Sequence, residues 1–163
     1  QPLTMRLSNS LQHEVPLDQI ESIRWSGGIR MLAKEEPASA SYRPYLPTAV
    51  DAKLQDAFFG PIVDGDSDLR MHSGSSIEFR LEPGYLTFAG AVGRYDGVSK
   101  ASSLTVRIML DGKNVWEQTL LDAELRGFEL PLEGARRLAI EVDSDGDGDL
   151  GDTVRIARPR LLK

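Results

Sequence analysis

Ser103-Leu104-Thr105-Val106-Arg107-Ile108-Met109-Leu110 carries the pattern that decides the fold. Leu104, Val106, Ile108 and Leu110 fall on one face of an extended chain, with Thr105 and Arg107 on the other, the period of two that a half-buried strand requires. The same period recurs outward in both directions. Upstream, Ile77, Phe79 and Leu81 alternate with Glu78 and Arg80, and Leu86, Phe88 and Val92 form another such run. Downstream, Leu138, Ile140 and Val142 alternate with Glu141, and Val154 and Ile156 flank Arg155. Glu82-Pro83-Gly84, Asp111-Gly112-Lys113-Asn114, Glu133-Gly134-Ala135 and an Asp/Gly run over 143–152 supply turns between them. Short strands at this spacing, with almost no helical stretch, predict an all-β protein, an antiparallel sandwich or jelly roll.

The front of the chain reads differently. Thr4 to Leu7, His13 to Leu17 and Ile20 to Trp25 predict short strands ending at Ser26-Gly27-Gly28. This gives a β extension over residues 1–27 and a sandwich over 28–163. Four of the nine prolines lie from Pro37 to Pro61, which predicts a long ordered loop. Within it, Thr48-Ala49-Val50-Asp51 reads as the capped start of a short helix with Val50, Leu54 and Phe58 on one face. Trp116, between Val115 and Glu117, is expected to pack on a sheet face, and Trp25 to anchor the extension.

Composition removes several classes of function. Among 163 residues, 19 Lys and Arg face 25 Asp and Glu, a formal charge of -6, which disfavours phosphate backbones and anionic lipid as partners. No run approaches the roughly 18 apolar residues of a membrane span, and Gln1-Pro2-Leu3 is no basic-then-apolar leader. A start at Gln1 fits a processed product or a piece of a longer chain. There is no Cys, hence no disulfide, thiolate zinc site or thiol nucleophile. The two histidines, His13 and His72, lie in separate segments, too few for a His-based metal triad. With no G-x-S-x-G elbow and no phosphate-cradling glycine motif either, the chain is not expected to be an enzyme.

Asp143-Ser144-Asp145-Gly146-Asp147-Gly148-Asp149-Leu150-Gly151-Asp152 places five carboxylates in ten residues. Clustered hard oxygen ligands are what Ca²⁺ requires, which nominates Asp143, Asp145, Asp147, Asp149 and Asp152 as cation ligands. An EF-hand is excluded, because position 12 is Val154 and the flanks are strand-like. The competing reading is a solvated hairpin loop whose charge is neutralised by the tail residues Arg155, Arg158, Arg160 and Lys163.

Arg70-Met71-His72-Ser73, Ile77-Glu78-Phe79-Arg80-Leu81 and Tyr85-Leu86-Thr87-Phe88-Ala89-Gly90-Ala91-Val92-Gly93 stand in that order in the chain. They are followed by Leu104-Thr105-Val106-Arg107-Ile108, Leu110-Asp111-Gly112-Lys113, Gly134 to Val142, the Asp/Gly loop and Arg160-Leu161. This series, over roughly residues 28 to 162, resembles the NPCBM family of carbohydrate-binding modules. Gly27-Gly28-Ile29, Glu36-Pro37 and Tyr42-Arg43-Pro44-Tyr45 resemble the lead-in of its planctomycete-type members. The resemblance implies a galactose-binding-like β-sandwich without catalysis, binding galactose-type glycans, often beside a structural Ca²⁺, outside the cytoplasm. The chain departs from the family where Asp-His-Ala-Asp-Trp usually follows the acidic loop: here the run is Asp152-Thr153-Val154-Arg155-Ile156. A paired Asp-Asp is likewise reduced to one carboxylate in Gly93-Arg94-Tyr95-Asp96.

His72, Tyr95 and Asp96 are therefore the candidate ligand-binding residues. Tyr95 would stack on a pyranose, Asp96 would accept hydroxyl hydrogen bonds, and His72 would donate one, unless it only fixes the start of a core strand. Two readings of function stay open. One is glycan binding at one end of the sandwich; the other is a structural or protein-interaction module of a larger assembly that kept the fold and lost the sugar site.

Overall fold

The alternating runs become paired strands in the computed structural model, which describes residues 2–6, 12–19, 28–43, 51–95, 103–144 and 152–163. The elements in chain order are β1 (Pro2–Arg6), β2 (Gln12–Pro16), β3 (Ile29–Met31), β4 (Ser39–Tyr42), α1 (Ala52–Phe59), β5 (Ile62–Asp64), β6 (Asp68–His72) and β7 (Ser75–Arg80). They continue with β8 (Thr87–Arg94), β9 (Leu104–Leu110), β10 (Lys113–Leu120), β11 (Arg126–Pro131), β12 (Arg137–Asp143) and β13 (Thr153–Leu162). A five-stranded sheet runs β10-β9-β12-β7-β4, and a six-stranded one runs β11-β8-β13-β6-β5 with β3 added against β13. Their pairings are antiparallel. The N-terminal strands β1 and β2 pair separately, Pro2 opposite Pro16; the third expected strand, Ile20 to Trp25, lies outside the described residues.

The core is the set of inward residues that the alternation marked. Leu104, Val106, Ile108, Leu138 and Ile140 from one sheet, and Phe88, Val92, Val154 and Ile156 from the other, are fully buried between the layers. Phe128 on β11 packs on Phe88 and on Trp116 of β10, with ring centroids 5.0 and 5.4 Å away, so Trp116 fills the sandwich at its β10–β11 margin as sheet-face packing. The β9–β10 hairpin turns on Asp111 and Gly112 at φ 48° and 81°, the two left-handed residues of an Asp-Gly hairpin turn. The Asp111 carboxylate also accepts the amides of Arg136 and Arg137, tying this turn to the start of β12.

Three expectations are corrected. Leu86 is exposed and precedes β8, because the chain there still runs in the turn after Gly84. The proline-rich stretch is not all loop: Ser39–Tyr42 form β4, which finds open edge partners on β7. The helix exists, but Asp51 caps it, accepting the Lys53 amide at 2.9 Å, and Leu54 is exposed, so Leu54 supplies no buried face; Thr48 to Val50 and the Phe58 side chain lie outside the described residues.

β13 runs beyond the predicted Val154–Ile156 pattern because it contains a bulge. Its register against β8 shifts between Ala157 and Arg160, and Arg158 takes φ 45°. The shift reverses the alternation, so that Pro159 and Leu161 are buried in turn. A bulge frees backbone donors, and buried Asp68 takes one: its Oδ1 accepts the Arg158 amide at 2.9 Å, while its Oδ2 accepts Arg155 Nε at 2.7 Å. Burial pushes the Asp68 carboxyl up, but the Arg158 amide, the Arg155 side chain and the Ser67 hydroxyl outweigh it and hold the group below its ordinary value.

Candidate functional site

Strand pairing gathers the described candidate residues at one end of the sandwich. Thr153, at the start of β13, lies opposite His72 on one side, and its carbonyl accepts the Tyr95 amide at 2.8 Å on the other. The chain crosses between sheets here through Ser73 and Gly74. The Ser73 amide donates to the Asp152 carbonyl and the Gly74 amide to the Val142 carbonyl, both at 2.8 Å, so this crossing is strapped to both ends of the acidic loop. Asp96, Asp145, Asp147 and Asp149 lie outside the described residues.

Tyr95 faces away from the core, on the outer surface of the six-stranded sheet. It lines an open cleft of about 630 Å³ together with Asp64, Asp66, Asp68, Leu125 and Arg155. Gly93 makes room for one wall: a Cβ there would stand 3.1 Å from the Ala123 and Glu124 carbonyl oxygens. The Arg70 guanidinium lies over the Tyr95 ring, 5.5 Å from its centroid. The result is a polar recess with one aromatic wall.

His72 belongs to a different neighbourhood. Its ring packs edge-on against Tyr42 and Phe59 at centroid distances of 5.9 and 5.6 Å, under the C-terminal end of α1. Among the described residues its ring does not line the Tyr95 cleft. The geometry is that of a histidine that fixes the end of a strand.

The two described ends of the acidic loop are neutralised by arginines from the sheets, which corrects the expectation that the basic tail does so. Asp143 is half exposed and pairs with Arg107 at 3.1 Å. Asp152 is fully buried and pairs with buried Arg94 at 3.2 Å. From the tail, Arg155 holds Asp68, the Arg160 side chain donates to the Arg158 carbonyl, and Lys163 lies over the Tyr85 ring. Arg155 thus pairs with Asp68 on its own sheet and not with the acidic loop. The Arg94 guanidinium holds Asp152 Oδ1 inside the protein, so the charge at this end of the loop is balanced from β8. Asp143, half exposed and paired with Arg107, offers hard oxygens of the kind a divalent cation takes. Among the described residues no three His, Asp or Glu side chains converge as a metal site.

A second cleft, of about 500 Å³, opens on the five-stranded sheet at the same end and is lined by Ser41, Arg43, Ser73, Ser76 and Glu141 among others. Sequence reasoning missed it. Ser76 shows as outward in the alternation of β7, but the cross-strand register that sets it between Ser41 and Glu141 does not.

Two antiparallel sheets with polar recesses at their loop end define a β-sandwich binding module. The model of the NPCBM/NEW2 domain matches residues 67–162. The chain belongs to the NPCBM/NEW2 family, and with it to the non-catalytic carbohydrate-binding modules. No curated protein matches it in sequence. Among solved structures it is similar to the CBM51 of a Clostridium perfringens GH95 in complex with methyl-galactose, with TM-score 0.63, 20% identity, and 82% of this chain and 99% of that one covered. It is similar also to a C. perfringens ZmpB structure holding CBM51-2 and INT domains, with TM-score 0.62, 18% identity and 83% of this chain covered. A third is the tandem CBM51 pair of the Streptococcus pneumoniae SP3-BS71 family 98 glycoside hydrolase, with TM-score 0.61, 15% identity, and 83% and 47% coverage. The chain spans only 31% of the ZmpB structure. At these identities the likeness shows the fold.

Proposed function

We propose that this module binds a galactose-type glycan at the loop end of the sandwich, outside the cytoplasm and as one part of a larger assembly. The observation that carries the reading is the Tyr95 cleft, where an aromatic ring stands beside carboxylates and a guanidinium in an open polar recess, the combination that grips a pyranose by face and by hydroxyls. Asp96, next in the chain, is the hydroxyl acceptor in this reading. His72 shapes the end of β6 and does not touch the sugar. The methyl-galactose bound to the GH95 module supports the choice of sugar. Ca²⁺ belongs to the Asp/Gly loop in this reading, with Asp143, Asp145, Asp147, Asp149 and Asp152 as its candidate ligands.

One observation favours the alternative of a protein-interaction module without a sugar site: the Arg70 guanidinium already lies over the Tyr95 ring and takes up one of its two faces. Isothermal calorimetry with methyl galactoside separates the two. The unmodified module should bind at about millimolar Kd, and Tyr95→Ala should lose at least about tenfold in affinity, the scale of one lost stacking contact. Absence of binding would leave the interaction reading; binding unaffected by Tyr95→Ala would place the sugar away from the Tyr95 cleft. A thermal midpoint of the same sample that rises with Ca²⁺ and falls back with chelator supports the loop cation; an unchanged one removes it.

A further inference from the structure

The second cleft has the features of a binding site in its own right. Its floor is a row set by register: Ser41 lies opposite Ser76, Ser76 opposite Glu141, and Glu141 opposite Arg107. Neighbouring strands stand about 4.8 Å apart, so the run from Ser41 to Glu141 spans about 10 Å, enough for a sugar ring and the hydroxyls on one of its edges. Ser73, 2% exposed, also lines the cleft, and its buried Oγ has no hydrogen-bond partner. A desolvated hydroxyl left unpaired is a standing cost that a ligand hydroxyl would remove.

Charge selects the class of ligand. Arg107 is committed to Glu117 and Asp143. Arg43 and Glu141 both line the cleft, and among the described residues neither makes an ion pair. The lining therefore carries two guanidinium groups, on Arg43 and Arg107, against two carboxylates, on Glu141 and Asp143. This balance suits a neutral ligand better than an acidic one. Serine hydroxyls and one carboxylate are the partners that sugar hydroxyls need, since a carboxylate accepts from two neighbouring O–H groups at once.

We infer that this cleft is a second, independent site for a neutral pyranose, recognised by its hydroxyl edge without aromatic stacking, so that the module engages glycans on both sheets. The inference rests on the reading of the chain as a glycan-binding module. It is tested by titrating the ¹⁵N-labelled chain with methyl galactoside and following backbone amides by NMR. Amides of Gly74, Ser76 and Val142 should shift on a binding curve separate from that of Tyr95. Glu141→Ala should weaken the first curve about tenfold, the loss of one charge-assisted hydrogen bond, and leave the second unchanged. Ser76→Ala makes the same prediction if Glu141→Ala folds poorly. Shifts at Tyr95 with none at Gly74 to Ser76, or a first curve untouched by both variants, would overturn the second site alone. No shift at either cleft would overturn galactoside binding by the module, and the second site with it.

Discussion

Gly74→Ala is expected to destabilise the module by roughly 3 kcal/mol, the sum of a left-handed alanine and a backbone collision. Gly74 has φ 75°, and a Cβ there would stand 2.2 Å from the Arg43 carbonyl oxygen, so main chain must move to admit it. That movement disturbs two ties, the Gly74 amide to the Val142 carbonyl at 2.8 Å and the Arg43 amide to the Gly74 carbonyl at 2.9 Å. Gly84 is the control: its φ is 99°, with nothing within 4 Å of a built Cβ, so Gly84→Ala carries only the conformational penalty of about 1 kcal/mol. Urea unfolding of the two variants measures the difference. If Gly74→Ala is no worse than Gly84→Ala, the crossing between the sheets is not the tight joint described above.

Arg94→Met is expected to cost about 3–5 kcal/mol, because it leaves the Asp152 carboxylate buried without the guanidinium that now balances it. Both side chains are almost wholly inside the protein, 4% and 0% exposed, so solvent screens their interaction little. Adding Asp152→Asn to Arg94→Met should recover a large part of the loss, since the uncompensated charge is then gone. Chemical denaturation of the single and double variants checks both statements. A single variant within about 1 kcal/mol of the parent would contradict the pairing as a structural element. The pair also sets where the acidic loop rejoins the sheet, because the Asp152 carbonyl receives the Ser73 amide at the same point.

The inward faces of the fold were legible in the sequence because burial imposes the period of two wherever one face of a strand meets the core. Leu104, Val106, Ile108, Leu138 and Ile140 obey it and are fully buried. The reading fails where another force sets the local structure. Arg158 breaks the alternation of β13 because Asp68, 90 residues earlier, accepts its amide, and such a partner leaves no local signature. β4 was invisible because Ser39 to Tyr42 lie at a sheet edge, where only Tyr42 is even half-buried and hydrophobic patterning is weak. The site was legible by address more than by composition. His72, Tyr95, Asp143 and Asp152 do converge on one end of the sandwich, yet Arg94 and Arg107, which neutralise the two aspartates, come from strands 58 and 36 residues away. Ser41, Ser76 and Glu141 meet only through the register of three strands, two of them adjoined by pairings that a single sequence does not encode.

Glycan binding by the module stands or falls on whether the loop end is a working binding face. The most direct measurement is a glycan array probed with the whole chain, competed with free galactose. The account predicts signal on galactose-terminated glycans that falls as free galactose is added. Absence of signal on every glycan at about 100 µM protein, on an array dense enough for avidity to lift a millimolar site into view, would contradict it.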